Sequence, residues 1–318
     1  MDKLITGIHH VTAIAGDPQK NIDFYCGFLG LRMVKKTVNF DAPEIYHFYY
    51  GDESGSPGSI LTFFPYGSGI QKGRQGKGML NTTTFSVPAS SLNYWTSRLE
   101  KFNIQYKDAQ ERSKGEVVIY FEDHDGLGLE LVFNDKDTRT GFTYGHIPQT
   151  HAVKGFYSTE IWAEGYERTA AVLTEYLDHK LISESANRFR YAATDAPGNY
   201  IDIVCAPDSL RGLGGNGTVH HIAFSTPTSQ TQEEVRKKLQ QGFLNPTPVL
   251  DRQYFESIYF REPGGVLFEV ATEKPGFAVD EDKAHLGEAL KLPQQYEKYR
   301  AKIEEAITPV TLDIDKYR

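Results

Sequence analysis

With 318 residues, 39% of them hydrophobic and 24% charged, the chain has the make-up of a soluble globular protein with room for two ordinary domains or one large one. A formal net charge of −8 and the lack of any Lys/Arg-rich run argue against nucleic-acid binding. No apolar run approaches membrane-spanning length, so no membrane contact is expected and small molecules are the expected partners.

Cys26 and Cys205 lie far apart and suggest neither a disulfide framework nor a cysteine-based zinc site. The opening "MDKLITGIHH" runs straight into a strand pattern without a signal-type apolar core, so a cytoplasmic enzyme or binding protein is expected.

Along the chain, apolar periodicity alternates between strand and helix. "GIHHVTAI" reads as a strand. "DPQKNIDFYCGFLG" reads as a helix, with Asp17 and Pro18 as cap and first turn, Ile22, Tyr25 and Leu29 at helical spacing, and Gly30 as its stop. The short strands "LRMVKK", "YHFYY" and "SILTFF" complete a βαβββ unit. The same order starts again at "NTTTFSVP", at "GFYSTEIWA" and at "GTVHHIAFSTP". The modules span 1–75, 76–140, 141–213 and 214–275, and 276–318 reads as an acidic turn with an amphipathic helical tail suited to packing or subunit contact. The predicted fold is α+β: four βαβββ modules forming two open, barrel-like domains.

Repeats show which positions are special. The second and fourth modules superimpose without a gap at a constant offset of 139, "TFSVP" on "AFSTP" and "IYFEDHDGLGLELVF" on "IYFREPGGVLFEVAT". Two slots can then be compared, one on the first strand of each module and one on the last. The first module offers His10 and, laying "PGSILTFF" on "PGGVLFEV", Phe63; the second Thr82 and Glu130; the third Ser158 and Ile203; the fourth His221 and Glu269.

Closing module one on module four collects His10, His221 and Glu269, two imidazoles and a carboxylate with open positions, which is the donor set of non-heme Fe(II) oxygen chemistry. Other pairings collect only one histidine. Modules two and three should therefore pair as a vacant copy, in which Glu130 is a relic without adequate co-ligands. A lone buried histidine or glutamate is usually a satisfied polar group, but a buried carboxylate at matching slots of two units costs too much to leave idle. His221 shares its strand face with the small Ala223 and Ser225, which favours the second histidine of each pair as ligand and leaves His9 and His220 beside the site.

Paired βαβββ units with ligands on first and last strands resemble the vicinal oxygen chelate superfamily, which includes glyoxalase I, fosfomycin-resistance enzymes and extradiol dioxygenases. The stretches "GIHHVTAIAGDPQKNIDFYCGFLGLRMVKKTVNFD", "YHFYYGDESGSPGSILTFFP", "HHIAFSTP", "YFESIYFREPGGVLFE" and "DEDKAHLG" are similar to its ring-cleaving hydroquinone dioxygenases. The resemblance implies His10, His221 and Glu269 as metal ligands, His220, Tyr259 and Arg252 as catalytic groups, and His9 and Thr12 as substrate-binding residues. It further implies Fe(II), with Mn(II) as the alternative, an aromatic substrate with O2, and a homo-oligomer. The competing readings are a glyoxalase I-type isomerase, against which the apolar Phe63 counts, and a non-catalytic protein that binds aromatic or quinone-like compounds. No role attaches to the rim segment "PYGSGIQKGRQGKG".

Overall fold

The computed structural model describes residues 3–112 and 115–317. The first unit comprises β1 (Gly7–Ala15), α1 (Pro18–Ile22), β2 (Arg32–Val38), β3 (Tyr46–Gly51) and β4 (Ile60–Pro65). The second comprises β5 (Met79–Val87), α2 (Leu92–Lys101), β6 (Gln110–Arg112), β7 (Glu116–Glu122) and β8 (Gly128–Phe133). The third comprises β9 (Gly155–Ala163), α3 (Glu167–Glu175), β10 (Lys180–Ser185), β11 (Arg188–Ala192) and β12 (Tyr200–Cys205). The fourth comprises β13 (Thr218–Thr226), α4 (Ser229–Gln241), β14 (Leu250–Asp251), β15 (Phe255–Arg261) and β16 (Leu267–Pro275).

These strands form two eight-stranded sheets, in the orders β14-β15-β16-β13-β1-β4-β3-β2 and β10-β11-β12-β9-β5-β8-β7-β6. The outer units thus share one sheet and the inner units the other, as the distribution of histidines predicted. Each sheet is joined at its centre by an antiparallel pair of first strands, β1 with β13 and β5 with β9, and each first strand runs parallel to the last strand of its own unit.

Local chemistry sets the helices. Asp17 caps α1 by accepting from the backbone N–H of Gln19 and Lys20, with Pro18 in the first turn. The helix then widens into a π-helical turn over Asp23–Phe28, which buries Tyr25 so that its hydroxyl donates to Asp123 at 2.8 Å. Thr228 and Thr231 close a capping box on α4. The helix-side faces of both sheets share one apolar core that includes Phe28, Phe63, Trp95, Phe121, Leu173 and Leu239. The curled-in face of the first sheet carries a second, smaller apolar cluster that includes Tyr49, Tyr254, Phe255 and Phe277.

Pairing corrects the sequence overlay at two slots. Glu269 pairs with Ala223 and Glu130 with Thr84, whereas in the first unit the corresponding partner of Thr12 is Thr62, and in the third the partner of Glu160 is Asp202. The fourth slot is therefore Thr62, not Phe63, and its counterpart is Asp202, not Ile203. A slip of one residue transfers a side chain to the other face of a strand. Phe63 accordingly lies on the helix side, its ring centroid 4.4 Å from that of Tyr25, and Ile203 is fully buried in the core.

The tail is also less helical than expected. Gly287, with φ +78°, and Pro293 interrupt it, and α-helix is limited to α5 (Arg300–Ala306). No helix among the described residues is long and apolar enough to cross a membrane.

Candidate metal centre

His10 on β1, His221 on β13 and Glu269 on β16 converge at the centre of the first sheet, all buried, with Glu269 completely so. The two Nε2 atoms are 3.3 Å apart, and Glu269 Oε2 lies 3.3 Å from His10 Nε2 and 2.8 Å from His221 Nε2. Three donor atoms held about 2.1 Å from one ion at right angles to one another would stand about 3.0 Å apart, close to this spacing. Burial pushes the Glu269 carboxyl up, but the two imidazoles more than offset it and hold the group well below the usual carboxylate range. Oε1 is satisfied by the Ser257 hydroxyl, whereas Oε2 is buried without a hydrogen-bond donor. An ionised oxygen in that state fits a cation and little else.

A second histidine lies behind each imidazole of the cluster. Between β1 and β13 the register skips one residue at His9, between Ile8 and His10, and another at His220, between Val219 and His221. Both are β-bulge residues, and a bulge re-aims a side chain that strict alternation would send to the other face. His9 Nδ1 consequently lies 2.9 Å from His10 Nδ1, and His220 Nδ1 lies 2.7 Å from His221 Nδ1. Burial pushes the His9 imidazole down to about 3, so it is neutral, and its other nitrogen donates to the Thr272 backbone. One proton is shared between the Nδ1 atoms of His9 and His10, while His10 Nε2 faces Glu269 Oε2. His220 and His221 are related in the same way, and His221 Nε2 faces the same oxygen. His220 opens onto a cleft, yet crowding by surrounding atoms also pushes it down to about 3, and even an ordinary imidazole is mostly neutral at pH 7.

A cavity of about 380 Å³ lies over the centre. His10, His221, His220, Arg252 and Tyr259 line it, so five of the residues singled out in the sequence meet there. Tyr259 packs edge-on to His221 with ring centroids 5.6 Å apart, and Arg252 Nε donates to its hydroxyl at 3.3 Å. Glu269 lies beneath the cavity. His9 is walled off by Phe255, at 5.0 Å between ring centroids, and reaches the centre only through His10. Thr12 is fully buried, 2.8 Å from Thr62 across the strand pair. Larger cavities of about 720 and 760 Å³ lie elsewhere, without such a convergence of donors.

Sequence reasoning missed His47, Tyr49, Phe64 and Phe255. Tyr49 bonds His47 Nδ1 at 2.9 Å, and His47 Nε2 bonds Thr62 at 2.9 Å, so a polar string from β3 ends in the fourth slot. The alternation of "YHFYY" put His47 and Tyr49 on one face, but only the register with β4 shows which face is the cavity.

The second sheet corrects the reading of Glu130 as a relic. It accepts from Thr84 Oγ1 at 2.9 Å and from Arg112 at 2.6 Å. Arg188 and Arg190 bond Asp202, and Arg190 also pairs with Glu116.

Comparison with known proteins agrees with this geometry. A family model described as the Glyoxalase/Bleomycin resistance protein/Dioxygenase superfamily matches residues 7–131 and 155–270. The chain is 42% identical over 309 residues to a Bacillus subtilis protein named "Putative ring-cleaving dioxygenase MhqO", covering 97% of this chain and 98% of that one. It is 31% identical over 300 residues to the "Chlorohydroquinone/hydroquinone 1,2-dioxygenase" of Sphingobium indicum, covering 92% and 93%. Among solved structures, a Bacillus subtilis protein named "putative dioxygenase" superimposes with a TM-score of 0.92 at 42% identity, over 98% of this chain and 99% of that one. Glyoxalase I from Zea mays, at 13% identity and a TM-score of 0.63, shares the fold over 84% of this chain and 92% of its own.

Proposed function

The chain belongs to the glyoxalase/bleomycin resistance protein/dioxygenase superfamily, and from that premise we propose that it opens the ring of a hydroquinone with O2 at a divalent iron held by His10, His221 and Glu269. The observation that carries the reading is Glu269 Oε2, buried without a hydrogen-bond partner and facing the Nε2 atoms of His10 and His221 beneath an aromatic-walled cavity. Bound Fe(II) would supply a Lewis acid for the phenolic oxygen and an electron path between ring and O2, with Mn(II) able to fill the same site.

The chain's own groups do the rest. Phe40, Phe64, Phe255 and Tyr49 give the cavity flat apolar walls suited to a ring. Arg252 and Tyr259, already bonded to each other, offer a cation and a hydroxyl to the oxygen that becomes anionic. Burial pushes the Tyr259 phenol up, so it remains a proton donor at neutral pH. His220, with Nδ1 engaged by His221, presents Nε2 to the cleft as a hydrogen-bonding and proton-transfer atom. His9 and Thr12 act as supports of the centre, not as substrate contacts. Cleavage is of the extradiol type, at the bond between the hydroxyl-bearing carbon and its neighbour. The fourth slot holds the neutral Thr62, already bonded to Thr12 and His47, which disfavours the four protein ligands of a glyoxalase I-type isomerase.

Anaerobic loading with Fe(II), followed by oxygen uptake on hydroquinones, catechols and the glutathione adduct of methylglyoxal, tests the proposal. One O2 consumed per hydroquinone is expected. Oxygen-independent turnover of the adduct alone would overturn it.

A further inference from the structure

A second cavity, of about 280 Å³, adjoins the metal pocket, and His220 and Leu267 line both. Arg211 and Arg261 line it from two sides. Arg261 donates to the carbonyl of Gly265 at 2.6 Å, and Arg211 Nη2 lies where a Cβ at Gly265 would come within 3.4 Å of it. Gly265 holds φ +112°, a backbone conformation that favours glycine at this turn.

The neglected rim segment builds the wall. "QKGRQGKG" bridges "RGLGGNG" through Lys72 with Asn216, Arg74 with Leu213 and Lys77 with Arg211, forming a glycine-rich, basic double loop on a chain of net charge −8. Among the described residues neither Arg211 nor Arg261 has a carboxylate partner. Two unpaired guanidinium groups on a polar cavity are a carboxylate-binding arrangement, because planar N–H forks match a carboxylate's oxygens.

We propose that this cavity is a carboxylate site that receives the acid group created by ring opening. The inference rests on the dioxygenase reading above. Hydroquinone is neutral at pH 7. Ring opening breaks one C–C bond and delivers one atom of O2 to each of its carbons. The hydroxyl-bearing carbon becomes a carboxylate, its neighbour an aldehyde, and one proton is released. O2 takes up the four electrons lost by the ring, so no other reductant is needed. Substrate and product thus differ by one negative charge, and the basic cavity behind His220 distinguishes them.

Calorimetric titration of the metal-free protein with cis,cis-muconate, a six-carbon diacid, tests this independently of turnover. Wild type should bind muconate, Arg211→Gln/Arg261→Gln should bind it about tenfold or more weakly, and Arg211→Lys/Arg261→Lys should recover part of the loss. Hydroquinone binding should be the same in all three proteins. No muconate binding by wild type, equal binding by the double glutamine variant, or a parallel loss of hydroquinone binding would each overturn the assignment. Lack of oxygen uptake by the iron-loaded protein would instead sink the dioxygenase reading and leave the titration to decide the site.

Discussion

Where the first sheet places His10, His221 and Glu269, the second places Ser158, Thr82 and Glu130, at the same positions of the same strand pairs. Thr62 and Tyr49, partners across β3 and β4, correspond to Asp202 and Arg190, partners across β11 and β12. Even the bulges recur: His9 and His220 in one sheet, Tyr157 and Asn81 in the other. The bulges are thus properties of the fold, and the histidines use them. Both sheets keep a carboxylate on the curled-in face, and each must supply it with positive charge. The second does so with its own arginines, whereas in the first the described residues set only the imidazoles of His10 and His221 against Glu269.

The comparison breaks most completely at the two glutamates. Glu269→Gln should abolish tight Fe(II) binding and reduce oxygen uptake to below about 1% of wild type, because the anionic ligand is gone. Glu130→Gln should leave metal content unchanged. Metal analysis of both variants checks this, and equal loss in the two would end the distinction between sheets.

A smaller effect is expected from Arg190→Met, which strips Asp202 and Glu116 of a shared partner. It should destabilise the protein by about 3–5 kcal/mol, as removal of one member of a buried ion network does. Arg190 offsets burial and holds both carboxyls below their ordinary value. Their contribution is therefore fully present above the unfolded carboxylate pKa of about 4 and is lost as pH falls through the lower folded values. Thermal melts should show wild type losing stability below about pH 4 and the variant responding less steeply. A variant with the same acid sensitivity would mean that the network is not what acid dissolves.

The mildest case is Thr62→Val. It removes the hydroxyl shared by Thr12 and His47 and should cost about 1–2 kcal/mol with little change in metal affinity. A large drop in metal content would instead make Thr62 part of the centre.

Much of this was legible in the sequence. Repetition at a constant offset revealed the four units, and the confinement of His10 and His221 to the outer ones required those units to meet. The misread slots have a common physical origin. "PGSILTFF" and "PGGVLFEV" align by their turns, yet the register that decides whether Phe63 or Thr62 faces inward is set by hydrogen bonds to β1. Bulges are equally silent in one strand, since they exist only relative to a partner. So the strict alternation that chose His221 over His220 placed His221 in the buried cluster without showing that His220 also reaches the cavity. The arginine network was invisible for the same reason: nothing in the sequence ties Arg112 to Glu130 or Arg190 to Asp202 until the strands are paired.

The order of strands has a consequence for how the protein is made. Every strand of the second sheet comes from residues 79–205, one unbroken stretch that can close on itself while synthesis continues. His10, translated among the first residues, must wait for His221, 211 positions later, and then for Glu269. A chain that stops short of Glu269 has every strand of the second sheet but lacks the carboxylate of the His10–His221–Glu269 cluster. Completion of that cluster is thus reserved for chains whose two ends have both been made and have found each other.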